Sequence, residues 1–318
     1  MFRSSSRSIS PPPRPWCRRR SRRSSSGPSR TTGGEDSMPT LGQSAMVFLA
    51  TALLAALLAG LGSLVRVRDR EFALDLSAGH GLFGLGALGL VRFGLSLDVA
   101  VAALLALGAI GLLRALLRLR LRAEGPPKRP LFAIALVLPL AFAAAMIPLT
   151  AWDDFSHWLP NAVYLLEHRT FPGPGLPPPP SQHGTYPPGT ALVTYAVARL
   201  GGLVGMTALP ETAAPVMTVL LFGTLAAAAA PLLDRSRLPP LAAAAVAVLS
   251  VVWINPAFVP RIVFTNYGDA PTAAHLALAV LGLIRGFDTA PMLAAIPAGL
   301  GLAAVTNTKQ SGIVLSFT

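Results

Sequence analysis

Long apolar runs broken by short polar interruptions dominate the chain from residue 42 onward. Between Gly42 and Val65 lie 24 residues without a charge, enough for a helix to span a bilayer core of about 30 Å. Two weaker runs follow at 72–92 and 97–113, marred by Asp75, His80, Arg92 and Asp98. Further runs at 131–150, 208–233, 239–257, 270–284 and 291–308 raise the expected number of spanning helices to seven or eight. The fold class this implies is all-α, a polytopic integral membrane protein.

Three stretches break the pattern. Residues 1–37 are Arg, Ser and Pro with almost no apolar content, and such a segment cannot offset its own ordering entropy. It reads as a disordered tail, which is either an RNA-binding or anionic-lipid contact or an upstream extension with the native start at Met38 or Met46. Residues 114–129 are basic. Residues 151–207 hold two Trp, three of the five His and a Pro-rich tip. The flanks of this last stretch, 152–168 and 189–201, are amphipathic and too polar or too short to span, as expected of helices lying at a membrane surface. The domains expected are therefore the tail 1–37, N-terminal helices with a basic loop over 38–129, and a main membrane domain over 130–318. The last of these ends in mid-apolar sequence and reads as incomplete at its C-terminus.

Composition supports this class and redirects one inference. The chain is 53% hydrophobic and 13% charged, against about 25% charged in a soluble domain. Its net charge of +12 would suggest nucleic acid, but the excess sits in two blocks. Nine Arg against Glu35 and Asp36 give +7 in the tail, and 114–129 contributes the remaining +5. The second block is what the positive-inside rule expects of a cytoplasmic loop, so the bilayer is the partner and no nucleic acid is called for. Cys17 is the single cysteine; it leaves the redox compartment undetermined.

If 114–129 is cytoplasmic, helix 131–150 runs outward and 151–207 is extracytoplasmic. The following helices then return to Asp234, Arg235 and Arg237, run out, return to Arg285 and finally run outward to Lys309. The implied location is a plasma (inner) membrane with the 151–207 side facing out. Asp153, Asp154, Asp269 and Lys309 all emerge on that outer side. Asp153 and Asp154 directly follow a membrane helix, beside Trp152 and ahead of His157 and Trp158. On a helix Asp153 and His157 share a face at i, i+4, while Asp154 points elsewhere. A solvated helix N-terminus explains such acids as well as catalysis does. The same acids with His157, His168 or His183 could gather around a divalent cation, but no diagnostic spacing is present, so no metal ligand is assigned. YPPG at 186–189 opens an apolar helix with Tyr186 at the interface. Lys309 by itself reads as a dipole complement or snorkelling anchor.

In order, WDDFSHWLPNAVYLLEHRTFP, YPPG, NYGDAPTAAHLAL and GLAAVTNTKQSG resemble the N-terminal half of the C-type glycosyltransferases. Within them the likeness is to bacterial relatives of the dolichyl-phosphate-mannose protein mannosyltransferases. It covers about 130–315. It implies an inverting enzyme that moves a sugar from a polyprenyl-phosphate donor to a glycan, lipid or protein acceptor outside the cytoplasm. By the same likeness Asp153 is the general base, Asp154 the second acid, Asp269 the acid at a later helix start and Lys309 the lysine of a TK-x-x-G motif. His157, Tyr186 and Arg261 complete the expected substrate-binding set. Extra helices before the usual first one depart from the pattern, as does the missing C-terminal half.

Two rivals belong to other classes. A transporter or channel subunit would carry its charges in mid-helix, often with paired broken helices. A non-enzymatic membrane scaffold would use the Arg-rich tail as its contact.

Overall fold

The computed structural model describes residues 39–65, 73–121, 127–182, 186–234, 236–254, 259–287 and 291–309, leaving out the side chains of 260, 261, 285–287 and 291–294. The tail 1–37, the 66–70 run, His183 and the C-terminal nine residues lie outside this description. Every regular element among the described residues is helical. Four helices are long and apolar enough to cross a membrane: α1 (Leu41–Ser63), α3 (Leu97–Arg120), α4 (Lys128–Met146) and the continuous 213–233 segment, which is α7 (Ala213–Ala229) with a final 3₁₀ turn. Among the described residues the protein is all-helical, and these four helices suit a membrane-embedded protein.

Local sequence explains where these helices begin and end. A capping box opens α1: the Gln43 N–H donates to Thr40 Oγ1 at 3.2 Å and the Thr40 N–H to Gln43 Oε1 at 2.9 Å. Ser96 caps α3 through the Val99 N–H at 3.3 Å. The helix α3 runs on to Arg120 although its apolar run stops at Leu113, because Arg114, Arg118 and Arg120 all lie on exposed positions. Conversely α7 begins only at Ala213, since Leu209 to Thr212 form a turn around Pro210.

Close backbone approach organises the first helices. α2 (Asp75–Arg92) packs on both α1 and α11 (Pro291–Thr308), and α1 also packs on α3. At Gly79 a Cβ would stand 1.7 Å from the Leu58 carbonyl oxygen, so only glycine lets α1 and α2 meet this closely. The helix α7 lies deepest, with every residue from Ala213 to Gly223 buried. Its neighbours are α4, α8 (Pro240–Val248, continued by a π-helical turn to Trp253) and α10 (Asp269–Phe287). α3 and α4 are peripheral, and exposed Leu107, Ile110, Leu113, Leu136 and Leu138 form faces suited to lipid.

Side-chain bonds define the two ends of the bundle. At one end the Arg129 guanidinium pairs with Asp234 at 2.7 Å and donates to the Leu238 carbonyl at 3.1 Å, joining the start of α4 to the α7–α8 turn. At the other, Asp98 gathers Arg199 at 2.7 Å, Arg169 at 3.5 Å and the Tyr195 hydroxyl at 2.5 Å. These groups come from α3, the C-cap of α5 (Leu159–His168) and α6 (Gly189–Gly202).

The setting of α6 differs from expectation as well. The helix α6 was expected to be a surface helix with one exposed face, yet Gly189 to Val197 are buried all round. Its residues are small enough to seat against α1 and α7. Its Tyr and Arg, which made it look polar, are held by Asp98 instead of water.

Candidate active site

The site grows from an irregular turn. Asp154 to Trp158 form one π-helical turn leading into α5. Pro160 supplies a reason for it: proline lacks the N–H that an α-helix would aim at the Ser156 carbonyl. That carbonyl instead accepts from the Gln182 N–H at 3.1 Å, drawing the Pro-rich loop back over the turn.

The two adjacent carboxylates face different surroundings. Asp153 keeps a side chain 41% exposed, with one oxygen 3.8 Å from His157 Nε2. Asp154 is completely buried; its Oδ1 accepts the Asn266 backbone N–H at 2.7 Å while Oδ2 has no hydrogen-bond partner. Burial pushes its pKa up to about 6, against the opposing pull of backbone N–H groups from Asn266 and Ala151. The i, i+4 pairing of Asp153 with His157 is therefore present. Asp154 points inward, to a segment 112 residues away.

Each of the four sequence motifs touches another. Trp158 stacks on Tyr186 with centroids 5.2 Å apart and planes 9° from parallel, and His157 meets the same Tyr186 edge-on at 5.9 Å. Gly189, opening α6, approaches the Asn307 carbonyl so closely that a Cβ would stand 2.4 Å from it. Lys309 pairs with Asp269 across the α10–α11 ends. One turn further in, Thr272 Oγ1 and Thr308 Oγ1 share a hydrogen bond of 2.8 Å. Asp153, Asp154, His157, Tyr186, Asp269 and Lys309 thus gather at one end of the bundle. Arg261 lies on α9 (Pro260–Val263), and its side chain falls outside the description.

The sequence reading passed over Asn266, although it stands in the NYGD motif. It also passed over a buried chain in which Ser77 Oγ meets His275 Nδ1 at 2.9 Å and His275 Nε2 meets His80 Nδ1 at 3.2 Å. His80 reads in the sequence only as a blemish in an apolar run and His275 only as part of the NYGDAPTAAHLAL motif; they come together because α2, α10 and α11 pack together. Among the described residues no three His, Cys, Asp or Glu stand close enough to hold a metal ion.

Chemically, the arrangement offers an accessible carboxylate at Asp153, an aromatic wall of Trp158 and Tyr186, and one ammonium at Lys309 already balanced by Asp269. Comparison of the chain with protein-family models, with curated proteins and with solved structures gives no match.

Proposed function

We propose that the protein is a membrane glycosyltransferase that moves a sugar from a polyprenyl-phosphate donor to a hydroxyl or amine acceptor. The observation that carries this reading is the meeting of the 152–158, 186–189, 266–269 and 307–309 segments at one end of the bundle. In the reaction the acceptor oxygen or nitrogen forms a bond to the anomeric carbon while the bond from that carbon to the phosphate oxygen breaks. The acceptor proton passes to Asp153, and the polyprenyl phosphate leaves carrying the electron pair. A phosphate needs no separate acid to leave, and one displacement inverts the anomeric centre. Lys309, with Arg261, would stabilise the charge on the departing phosphate. Asp154 is the positioning carboxylate: it holds the Asn266 backbone and so fixes the Asp269 segment against the π turn.

In this reading seven or eight helices span an inner membrane, with the 114–129 and 234–238 ends cytoplasmic and the site extracytoplasmic. The Arg129 to Asp234 bond supports putting those two loops on one side. The test is sugar transfer from a panel of polyprenyl-phosphate hexoses by the full-length protein in vesicles. Asp153→Asn is expected to lower the rate by roughly 10²-fold or more; undiminished transfer overturns the assignment. A topology reporter fused after residue 180 is expected outside, and a cytoplasmic signal there sinks the whole reading.

A transporter subunit is the second reading. The buried His80 and His275 pair favours it, since ionisable groups inside membrane helices often mark pathways. Solute flux without sugar transfer in the same vesicles would select it.

A further inference from the structure

Directly beneath the site, residues of α2, α6, α7, α10 and α11 and of the segment before α10 line a small, partly open pocket with room for one water-sized sphere, about 10 Å³. A cavity of that size holds a water when two to four polar groups face it. His80, Thr190 and Asn266 line it, each at most 5% exposed. His80 Nε2, Thr190 Oγ1 and both polar atoms of the Asn266 amide have no hydrogen-bond partner. Each unpaired buried group of this kind carries its full desolvation penalty. So many around one cavity point to a missing guest.

The chemistry of the wall restricts what that guest is. A neutral imidazole carries one N–H, so the buried chain runs in one of two senses. In the first, the Ser77 hydroxyl donates to His275 Nδ1, His275 Nε2–H donates to His80 Nδ1, and His80 Nε2–H is a donor into the pocket. In the second, His80 Nδ1–H donates to His275 Nε2, His275 Nδ1–H donates to Ser77 Oγ, and His80 Nε2 accepts from the pocket. Thr190 also donates and accepts, and the Asn266 amide presents one atom of each kind. An ammonium satisfies only acceptors and a carbonyl only donors. A hydroxyl satisfies either sense.

We propose that this pocket is a binding site for a single hydroxyl group, held by His80, Thr190 and Asn266. Its source is a resident water or the hydroxyl of a sugar or alcohol substrate; only the second rests on the glycosyltransferase reading. Asn266 then links the two layers, its backbone N–H holding Asp154 and its side chain holding the hydroxyl.

The test is cryo-electron microscopy of the full chain in lipid nanodiscs, at a resolution that shows ordered water, with and without methyl glucoside and methyl mannoside. A peak within hydrogen-bond reach of His80 Nε2 that persists with the glycosides identifies a resident water. A peak replaced by a glycoside hydroxyl identifies the substrate source. An empty pocket in both states overturns the proposal. Thr190→Val, which keeps the shape and removes one partner, is expected to weaken the peak, and a peak of undiminished height overturns the assignment. Nitrogen-15 spectra of histidine-labelled wild-type protein give an independent reading. His80 Nε2 is expected at a hydrogen-bonded shift, and the shift of an unbonded acceptor nitrogen refutes the site.

Discussion

Replacing Asp154 with Asn tests the buried carboxylate directly. Asp154 is fully buried, and its pKa rises from 3.8 unfolded to about 6 in the fold. The folded state therefore binds the proton more tightly than the unfolded chain does. The contribution of Asp154 to stability is greatest below pH 3.8 and declines as pH rises, with the full penalty reached above about 6. A shift of this size corresponds to roughly 3 kcal/mol lost at pH 8, at 1.36 kcal/mol per unit. Asn keeps the oxygen that accepts from the Asn266 N–H and resembles the protonated acid, but never ionises. Asp154→Asn should match wild type near pH 4 and exceed it at pH 8. At about 2–4 °C per kcal/mol the expected gain in Tm is on the order of 6–12 °C. The assay is thermal unfolding in nanodiscs across pH 4–8, scoring the difference between the two proteins. A difference that does not change with pH, or a variant less stable than wild type at pH 8, would refute the reasoning.

Five other substitutions probe separate parts of the structure. Gly79→Ala drives a methyl into the Leu58 carbonyl and should separate α1 from α2, costing about 2 kcal/mol, read as a lower Tm. Trp158→Ala empties a buried aromatic position stacked on Tyr186 and should cost about 3–5 kcal/mol, whereas Tyr186→Ala should cost about 1 kcal/mol through the lost ring pair; equal effects would show that the stack, and not the burial of Trp158, holds the turn. Asp98→Ala releases Arg169, Arg199 and Tyr195 together and should lower stability by about 1 kcal/mol, a partly exposed cluster being screened by solvent, with a smaller difference in high salt. Arg129→Ala should change Tm by little, below about 1 kcal/mol, because its partner Asp234 is exposed.

Much of the helical architecture was legible because apolar runs in this chain are bounded sharply. The runs at 72–92 and 291–308 correspond to helices at Asp75–Arg92 and Pro291–Thr308. Where the reading missed, it had treated polarity as a boundary. Arg114 looked like an end for α3, but a charge on the exposed side of a peripheral helix breaks no backbone bond, and the helix continues. In α6, polar residues make 189–201 read as an amphipathic surface helix. The Tyr195 hydroxyl and an Arg199 guanidinium nitrogen instead both reach Asp98.

The site was legible in its parts and only partly in its geometry. Periodicity placed Asp153 and His157 on one face, which the 3.8 Å contact bears out. Which of two adjacent carboxylates turns inward is not a local property. It depends on Pro160, whose missing N–H relaxes the turn, and on an Asn266 backbone N–H that chain connectivity leaves 112 residues distant. The meeting of His80 with His275, 195 residues apart, is equally non-local. A buried polar group reveals its purpose only through its partner. A lone His in an apolar run therefore carries no message until packing supplies the second, and the pocket beside Asn266 matters because packing there supplies several such groups and leaves them unanswered.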